Sequence, residues 1–317
     1  MVEGEERAYG DIQLDSFEHQ VAGHGGVLRV KDSRMVAKPL IKREQAFYES
    51  SAMWPRFKAF LPVYYGTLEQ VGSVVESDSG ETAESGYICL ENLVDGYENP
   101  CIVDIKIGTQ LHDVDAPPEK VARMMKKAKA TTVGTHGVRV CGMMVPGVSS
   151  PSRDWLAGLT ADTIGDAFAR FFSAAETAVS AEYRRFVIRQ FILEVEDLAE
   201  VIRSVETRMY SSSLLFVYDA SKAKYEQFIA ESKGDPSSID AREDCGGGDY
   251  DTSHEGSSND DGCASDDDDD DDPSDGLLDM KAIDFAHSHW VPGQGPDERY
   301  LFGLGKLVSI LRSLLSQ

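Results

Sequence analysis

The feature that most constrains the fold of this chain is a block of acid that interrupts it. Residues 234–275 hold 17 Asp or Glu against a single Arg and end near a run of seven aspartates, Asp266 to Asp272. About −16 of the formal charge of −24 therefore sits in that block, and about −8 is spread over the other 275 residues. Self-repulsion and a shortage of apolar side chains leave the block nothing to set against the entropy of ordering it. Apolar, patterned sequence resumes at Leu277, so the block reads as a disordered insertion rather than a tail. The two short apolar runs on either side of it, 214–218 and 280–285, are then free to pair as strands. The acid is either a solvating loop or a surface for basic partners; the ligand spacing of an EF-hand is absent.

Even with the insertion included, the composition is that of a globular protein. With 317 residues, 41% hydrophobic and 9% aromatic, the chain can bury the core of one large domain or two lobes. No stretch approaches the roughly 20 apolar residues of a membrane span. The opening MVEGEERAYG has neither a basic nor an apolar region of the kind a secretory signal needs. The five cysteines (Cys89, Cys101, Cys141, Cys245, Cys263) never form CxxC, which argues against a disulfide framework and a thiolate zinc site. A reducing, intracellular compartment is the expectation.

Periodicity divides the rest. Residues 1–10 read as a flexible terminus and 11–95 as a β-rich small lobe. In that lobe a hairpin is expected from 27–30 and 34–38, a helix over 43–50, and strands at 61–66 and 87–90 around a polar loop at 76–85. Residues 96–317 read as a larger mixed lobe. It has strands at 100–108 and 138–145, a helix over 116–130 entered through Pro117-Pro118, nearly continuous helix over 162–206, and a last helix over 298–315. The order gives an α+β class with two lobes.

Three places carry chemistry. Lys120, Arg123, Lys126, Lys127 and Lys129 crowd one helix, and Lys120, Arg123 and Lys127 share a face at i, i+3, i+7 spacing. This is either a solvated face or a polyanion site; a small, densely phosphorylated ligand fits it better than nucleic acid, which the remaining negative charge repels. In Asp104-Ile105-Lys106-Ile107-Gly108, strand alternation sends Asp104 and Lys106 to one face, as a surface pair or as a phosphate-directed lysine with a neighbouring acid. In Ile283-Asp284-Phe285-Ala286-His287 an Asp at the end of an apolar strand is placed to hold Mg²⁺, with His287 either a ligand contact or a capped surface residue. GxxxxGK[ST], GxGxxG, GxSxG and HExxH are all missing, and Gly23-His24-Gly25-Gly26 is too common a pattern to assign.

Taken together, these segments resemble the inositol polyphosphate kinase family. Pro100 to Gly108 fits its PxxxDxKxG signature, and Glu91-Asn92-Leu93, Ser212-Ser213-Leu214-Leu215 and Ile283-Asp284-Phe285-Ala286-His287 follow its order. The resemblance runs from about Phe17 to the C-terminal helix. Within the family it is nearest the multikinase branch in its fungal form, which also carries an Asp-rich run between the SSLL and IDFAH segments. The resemblance implies a bilobal fold akin to protein kinases and ATP-grasp proteins, with ATP and Mg²⁺ as cofactors. It implies Lys38 on the ATP phosphates with Glu44 as its partner, Glu91 and Leu93 at the adenine-binding hinge, and Asp104 on the ribose. It further implies Lys106 between acceptor and γ-phosphate, Lys120, Arg123, Lys127 and His287 on the acceptor, Asp284 on the metal, and Ser213 supporting ATP or metal. Met124 departs from the pattern, standing where some relatives carry a polar contact. The implied activity is sequential phosphorylation of inositol 1,4,5-trisphosphate to tetrakis- and pentakisphosphate. The rivals are a hexakisphosphate kinase making pyrophosphates and a non-catalytic nuclear scaffold. Further implied partners are a phosphoinositide lipid, and transcription factors at the acidic insertion, with the protein a monomer of nucleus and cytoplasm that does not itself bind nucleic acid.

Overall fold

Short alternating runs in the first ninety residues build a five-stranded antiparallel sheet. A computed structural model describes residues 12–22, 26–69, 86–231 and 276–316. The N-terminal ten residues, Gly23-His24-Gly25, the polar loop at 76–85 and the acidic insertion at 234–275 lie outside the described residues. The small-lobe strands are β1 (Leu14–Ser16), β2 (Leu28–Val30), β3 (Met35–Pro39), β4 (Tyr64–Glu69) and β5 (Gly86–Glu91), in the order β1-β2-β3-β5-β4. The expected hairpin is β2 on β3, with Leu28 opposite Ala37. Between β3 and β4 lie helices α1 (Lys42–Ser51) and α2 (Pro55–Lys58). The strand expected at 61–66 begins only at Tyr64. Leu61 N instead donates to Lys58 O at 3.0 Å and closes the turn after α2, and Pro62 has no N–H to offer a ladder.

The large lobe centres on a second antiparallel sheet of β6 (Pro100–Ile107), β7 (Val138–Met144), β9 (Ser213–Asp219) and β10 (Leu278–Ile283), ordered β10-β9-β6-β7. The runs flanking the insertion do pair, in register from Leu278 opposite Tyr218 to Ile283 opposite Ser213. The second of them stops at Ile283 rather than Phe285, because Asp284 turns into the left-handed region at φ +67°. A minor ribbon joins β8 (Thr207–Met209) to β11 (Ser288–Trp290). Around the sheets lie α3 (Pro118–Lys129), α4 (Thr132–His136), α5 (Arg153–Ala157), α6 (Ile164–Phe171), α7 (Ala181–Ser204), α8 (Lys222–Glu231) and α9 (Glu298–Leu315).

The helix expected over 162–206 is broken. A π-helical turn, Ala175–Val179, separates α6 from α7, and extended Ser180 caps α7 by accepting from Tyr183 N at 3.1 Å. The aromatic stripes of this region are core, as their spacing implied: Phe168, Phe171, Phe172 and Phe191 are fully buried, and Phe191 stacks on Phe216 at 4.2 Å.

One continuous core joins the lobes. Its bridge is α1, whose Phe47 stacks on Phe285 at 4.5 Å and on Trp290 at 5.4 Å. A second bridge is the segment before β2. Phe17 and Val21 pack on Ile102 and Val217, and Val21 O lies 1.8 Å from where a Cβ on Gly142 would stand, so only glycine admits this crossing.

Candidate active site

Three sheet ends and one helix meet where the lobes join. β3 carries Lys38 and α1 carries Glu44; β6 carries Asp104 and Lys106, and the turn after β10 presents Asp284. Lys38 Nζ donates to Glu44 Oε1 at 2.8 Å and to Asp284 Oδ1 at 2.7 Å. Glu44 Oε1 also accepts from Phe285 N at 3.0 Å, which fixes the turn that delivers Asp284. Lys106 Nζ lies 3.9 Å from Asp284 Oδ2, donates to Ser211 O at 2.6 Å, and reaches Ser213 Oγ at 3.4 Å. The structure thus gathers Lys38, Glu44, Asp104, Lys106, Ser213 and Asp284 into one cluster, although Lys38 and Asp284 are 246 residues apart.

Charge in this cluster is finely divided. Burial alone would raise the Asp284 carboxyl, but Lys38 and then Lys106 overcome it and hold the group at about 2. Asp104 goes the other way: burial lifts it to about 6 against the pull of Lys106, and the Asp284 charge adds to the rise. Its Oδ1 is buried and has no hydrogen-bond partner among the described residues. Burial would lower Lys38 and Lys106, yet Asp284, with Glu44 beside the first and Asp104 beside the second, raises both. Two lysines are therefore firmly cationic at physiological pH, beside one carboxylate that is ionised and one that titrates near it.

The segment expected to form the hinge lies at the end of β5. Glu91 meets Val63 twice: its backbone N donates to Val63 O at 2.9 Å and its side-chain Oε2 accepts from Val63 N at 3.1 Å. Leu93 follows in the turn after β5 and makes no backbone–backbone hydrogen bond to another described residue. The far end of the hinge is anchored by fully buried Asp219, which accepts from Glu98 N at 2.6 Å and Asn99 N at 2.9 Å.

Lys106 is also within electrostatic reach of α3. Lys127 is lowered by burial and by the positive charges of Arg139, Lys106 and Arg123, so three further cations lie within electrostatic reach of it. Lys120 stands two turns back on the same helix, as the spacing required. Met124 faces inward and packs with Leu111, Ala128 and Val133, so it offers no polar contact. His287 Nδ1 faces Asp113 Oδ2 at 4.0 Å.

Arg139 and Asp113 are absent from the sequence-level candidates. Arg139 stands opposite Lys106 in the β6–β7 ladder because a bulge between Asp104 and Ile105 absorbs Cys141. Its Nε is buried without a partner among the described residues. The signal for it was a lone charge between buried Val138 and Val140.

No cluster of three or more His, Cys, Asp or Glu able to hold a metal occurs among the described residues. The donor set nonetheless suits a hard cation completed by phosphate and water: Asp284 is ionised at any physiological pH. The orphaned oxygen of Asp104 suits a hydroxyl donor such as a ribose.

Residues 87–312 match the family model described as inositol polyphosphate kinase. The chain is 26% identical to inositol hexakisphosphate kinase 3 of Mus musculus, across 96% of this chain and 95% of that one. It is equally 26% identical to the inositol polyphosphate multikinase of Saccharomyces cerevisiae, across 93% and 96%. The solved structure of inositol phosphate multikinase Ipk2 from S. cerevisiae with ADP and Mn²⁺ matches with a TM-score of 0.65 and 25% identity, over 89% of this chain and all of that one.

Proposed function

The chain belongs to the inositol polyphosphate kinase family, and we propose that within it this protein phosphorylates inositol 1,4,5-trisphosphate successively to the tetrakis- and pentakisphosphate. It is an ATP-dependent kinase that uses a divalent metal, in keeping with its likeness to a relative solved with ADP and Mn²⁺; Mg²⁺ is the ion proposed here. The observation that carries the reading is the position of Lys106. It is within electrostatic reach both of the Lys38–Asp284 pair and of Lys127, on which Arg123 and Arg139 also act.

Each residue then has work that its geometry suits. Lys38, braced by Glu44, holds nucleotide phosphates, while Leu93 offers backbone groups to adenine and Asp104 accepts from the ribose. Lys120, Arg123, Lys127, Arg139 and His287 bind and orient a polyphosphorylated ring so that one hydroxyl faces the γ-phosphate. Asp284 would hold the metal, with Ser213 in support; bound there, the ion neutralises charge on the transferring group. Lys106 offsets the same charge from the acceptor side. No side chain is assigned as base.

A second reading, phosphorylation of hexakisphosphate to pyrophosphates, is favoured by the four basic side chains Lys120, Arg123, Lys127 and Arg139 available to the acceptor and by the mouse relative. A phosphoinositide lipid is a further proposed acceptor. The acidic insertion supports recruitment of basic partners, transcription factors among them, in nucleus and cytoplasm. Incubation with ATP, Mg²⁺ and trisphosphate, hexakisphosphate or lipid vesicles, with products resolved by anion exchange or thin-layer chromatography, separates these. Appearance of tetrakis- then pentakisphosphate is expected; turnover of hexakisphosphate alone assigns the pyrophosphate reaction instead.

A further inference from the structure

Neighbouring residues on the first turn of α1 point to opposite halves of the site. Glu44 reaches Lys38 and the backbone of Phe285, on the nucleotide side. Arg43 reaches across the lobes, its Nη1 donating to Asp113 Oδ2. Asp113 is a single carboxylate with two hydrogen-bond partners and one charged-group neighbour. Its Oδ1 accepts from Val114 N at 2.7 Å in the loop that leads into α3. Its Oδ2 takes Arg43 and faces His287 Nδ1 at 4.0 Å. The carboxylate side chain is 5% exposed, whereas the Arg43 side chain is 43% exposed, so the acid is part of the interior and the arginine closes over it.

We propose that Asp113 is a positioning residue for acceptor binding, joining α1 to His287 and to the entry of the cationic helix α3, with Arg43 as its latch. The inference rests on the reading that the acceptor lies between α3 and His287. A carboxylate taken from water is costly unless it is paired and hydrogen-bonded, and here one buried carboxylate meets α1 through Arg43, the loop before α3 through Val114 N and, at 4.0 Å, His287. Because Arg43 and Glu44 are consecutive, the helix that orders Lys38 also orders the loop before α3. The nucleotide and acceptor halves are thereby set by one rigid element. His112, whose Nδ1 lies 3.1 Å from Asp113 O, and His289, which senses Arg43 and Asp115, border the same junction but do not touch the Asp113 carboxylate.

A purely structural ion pair and a positioning one differ in what they move. Asp113→Asn keeps the shape and the acceptor for Val114 N and removes the charge. It is expected to raise KM for inositol trisphosphate about tenfold while KM for ATP stays within about twofold. Arg43→Gln is expected to shift the same parameter in the same direction, and Arg43→Lys, which keeps the charge, to return it to within about threefold of wild type. The Arg43→Gln/Asp113→Asn double variant is expected to be no worse than Asp113→Asn alone, since both remove one coupling. An equal rise in both KM values, additive effects in the double variant, or a lowered Tm with an unchanged acceptor KM overturns the proposal. Should Asp113→Asn fail to fold, the half-exposed Arg43 variants carry the same split. Absence of turnover in the wild type, by contrast, marks failure of the acceptor reading itself, and the latch falls with it.

Discussion

Lys106 receives opposing instructions from its neighbours: burial pushes its proton off, and Asp284 and Asp104 hold it on. The second effect prevails, so Lys106→Ala is expected to lower kcat by about a hundredfold or more, with KM for ATP little changed, in initial-rate assays. Asp104 and Asp284 have opposite pH signatures. Asp104 ionises at about 6 in the fold, above the ordinary aspartate value of 3.8. Between those values the folded protein holds a proton that the unfolded chain has lost, so this position contributes less stability as pH rises through the window. Asp284, held at about 2, contributes fully above about pH 4 and loses its contribution as pH falls towards 2. Thermal unfolding of wild type and Asp104→Asn from pH 4 to 7 is expected to show the wild type losing ground to the variant as pH rises. A constant difference between them refutes the assignment.

At the scale of elements, the crossing over β7 is the most sensitive contact. Gly142→Ala forces a Cβ into Val21 O and is expected to expel the segment containing Phe17 and Val21 from the face of β6 and β9. Limited proteolysis near that segment reads the outcome, and unchanged protection contradicts it. The long elements were legible in the sequence because their periods are long enough to count: α9 spans Glu298–Leu315 as expected, and β6 starts at Pro100 as expected. Pairing of β9 with β10 across the insertion was legible from apolar runs with acid between them. The break at Ser180 was not, since good helix formers on both sides masked a cap that works through one hydroxyl. Strands β8 and β11, at three residues each, are too short to show alternation. Of the site, motif residues were readable by resemblance. Arg139 and Asp113 became visible only through a bulge register and a contact between lobes, neither of which has a local signal.

For the whole molecule, the lobes share a core through α1, and the site sits in the seam this creates. Phe47→Ala empties the stack between Phe285 and Trp290 and is expected to cost about 3–5 kcal/mol of stability in denaturant unfolding, together with a raised KM for ATP. A much smaller cost, with ATP binding intact, means the lobes do not depend on that bridge. The acidic block carries most of the net charge, so its deletion tests whether it competes with a polyanionic acceptor for α3. Removal of residues 235–275 is expected to leave the acceptor KM unchanged across salt concentrations; a lower KM confined to low salt reveals competition. The most direct measurement is incubation of wild type and Lys106→Ala with ATP, Mg²⁺ and inositol 1,4,5-trisphosphate, with products separated by anion-exchange chromatography. Tetrakis- then pentakisphosphate from the wild type, and neither from the variant, is the expected result. Trisphosphate left untouched by the wild type, or phosphorylated as fast by the variant, contradicts it.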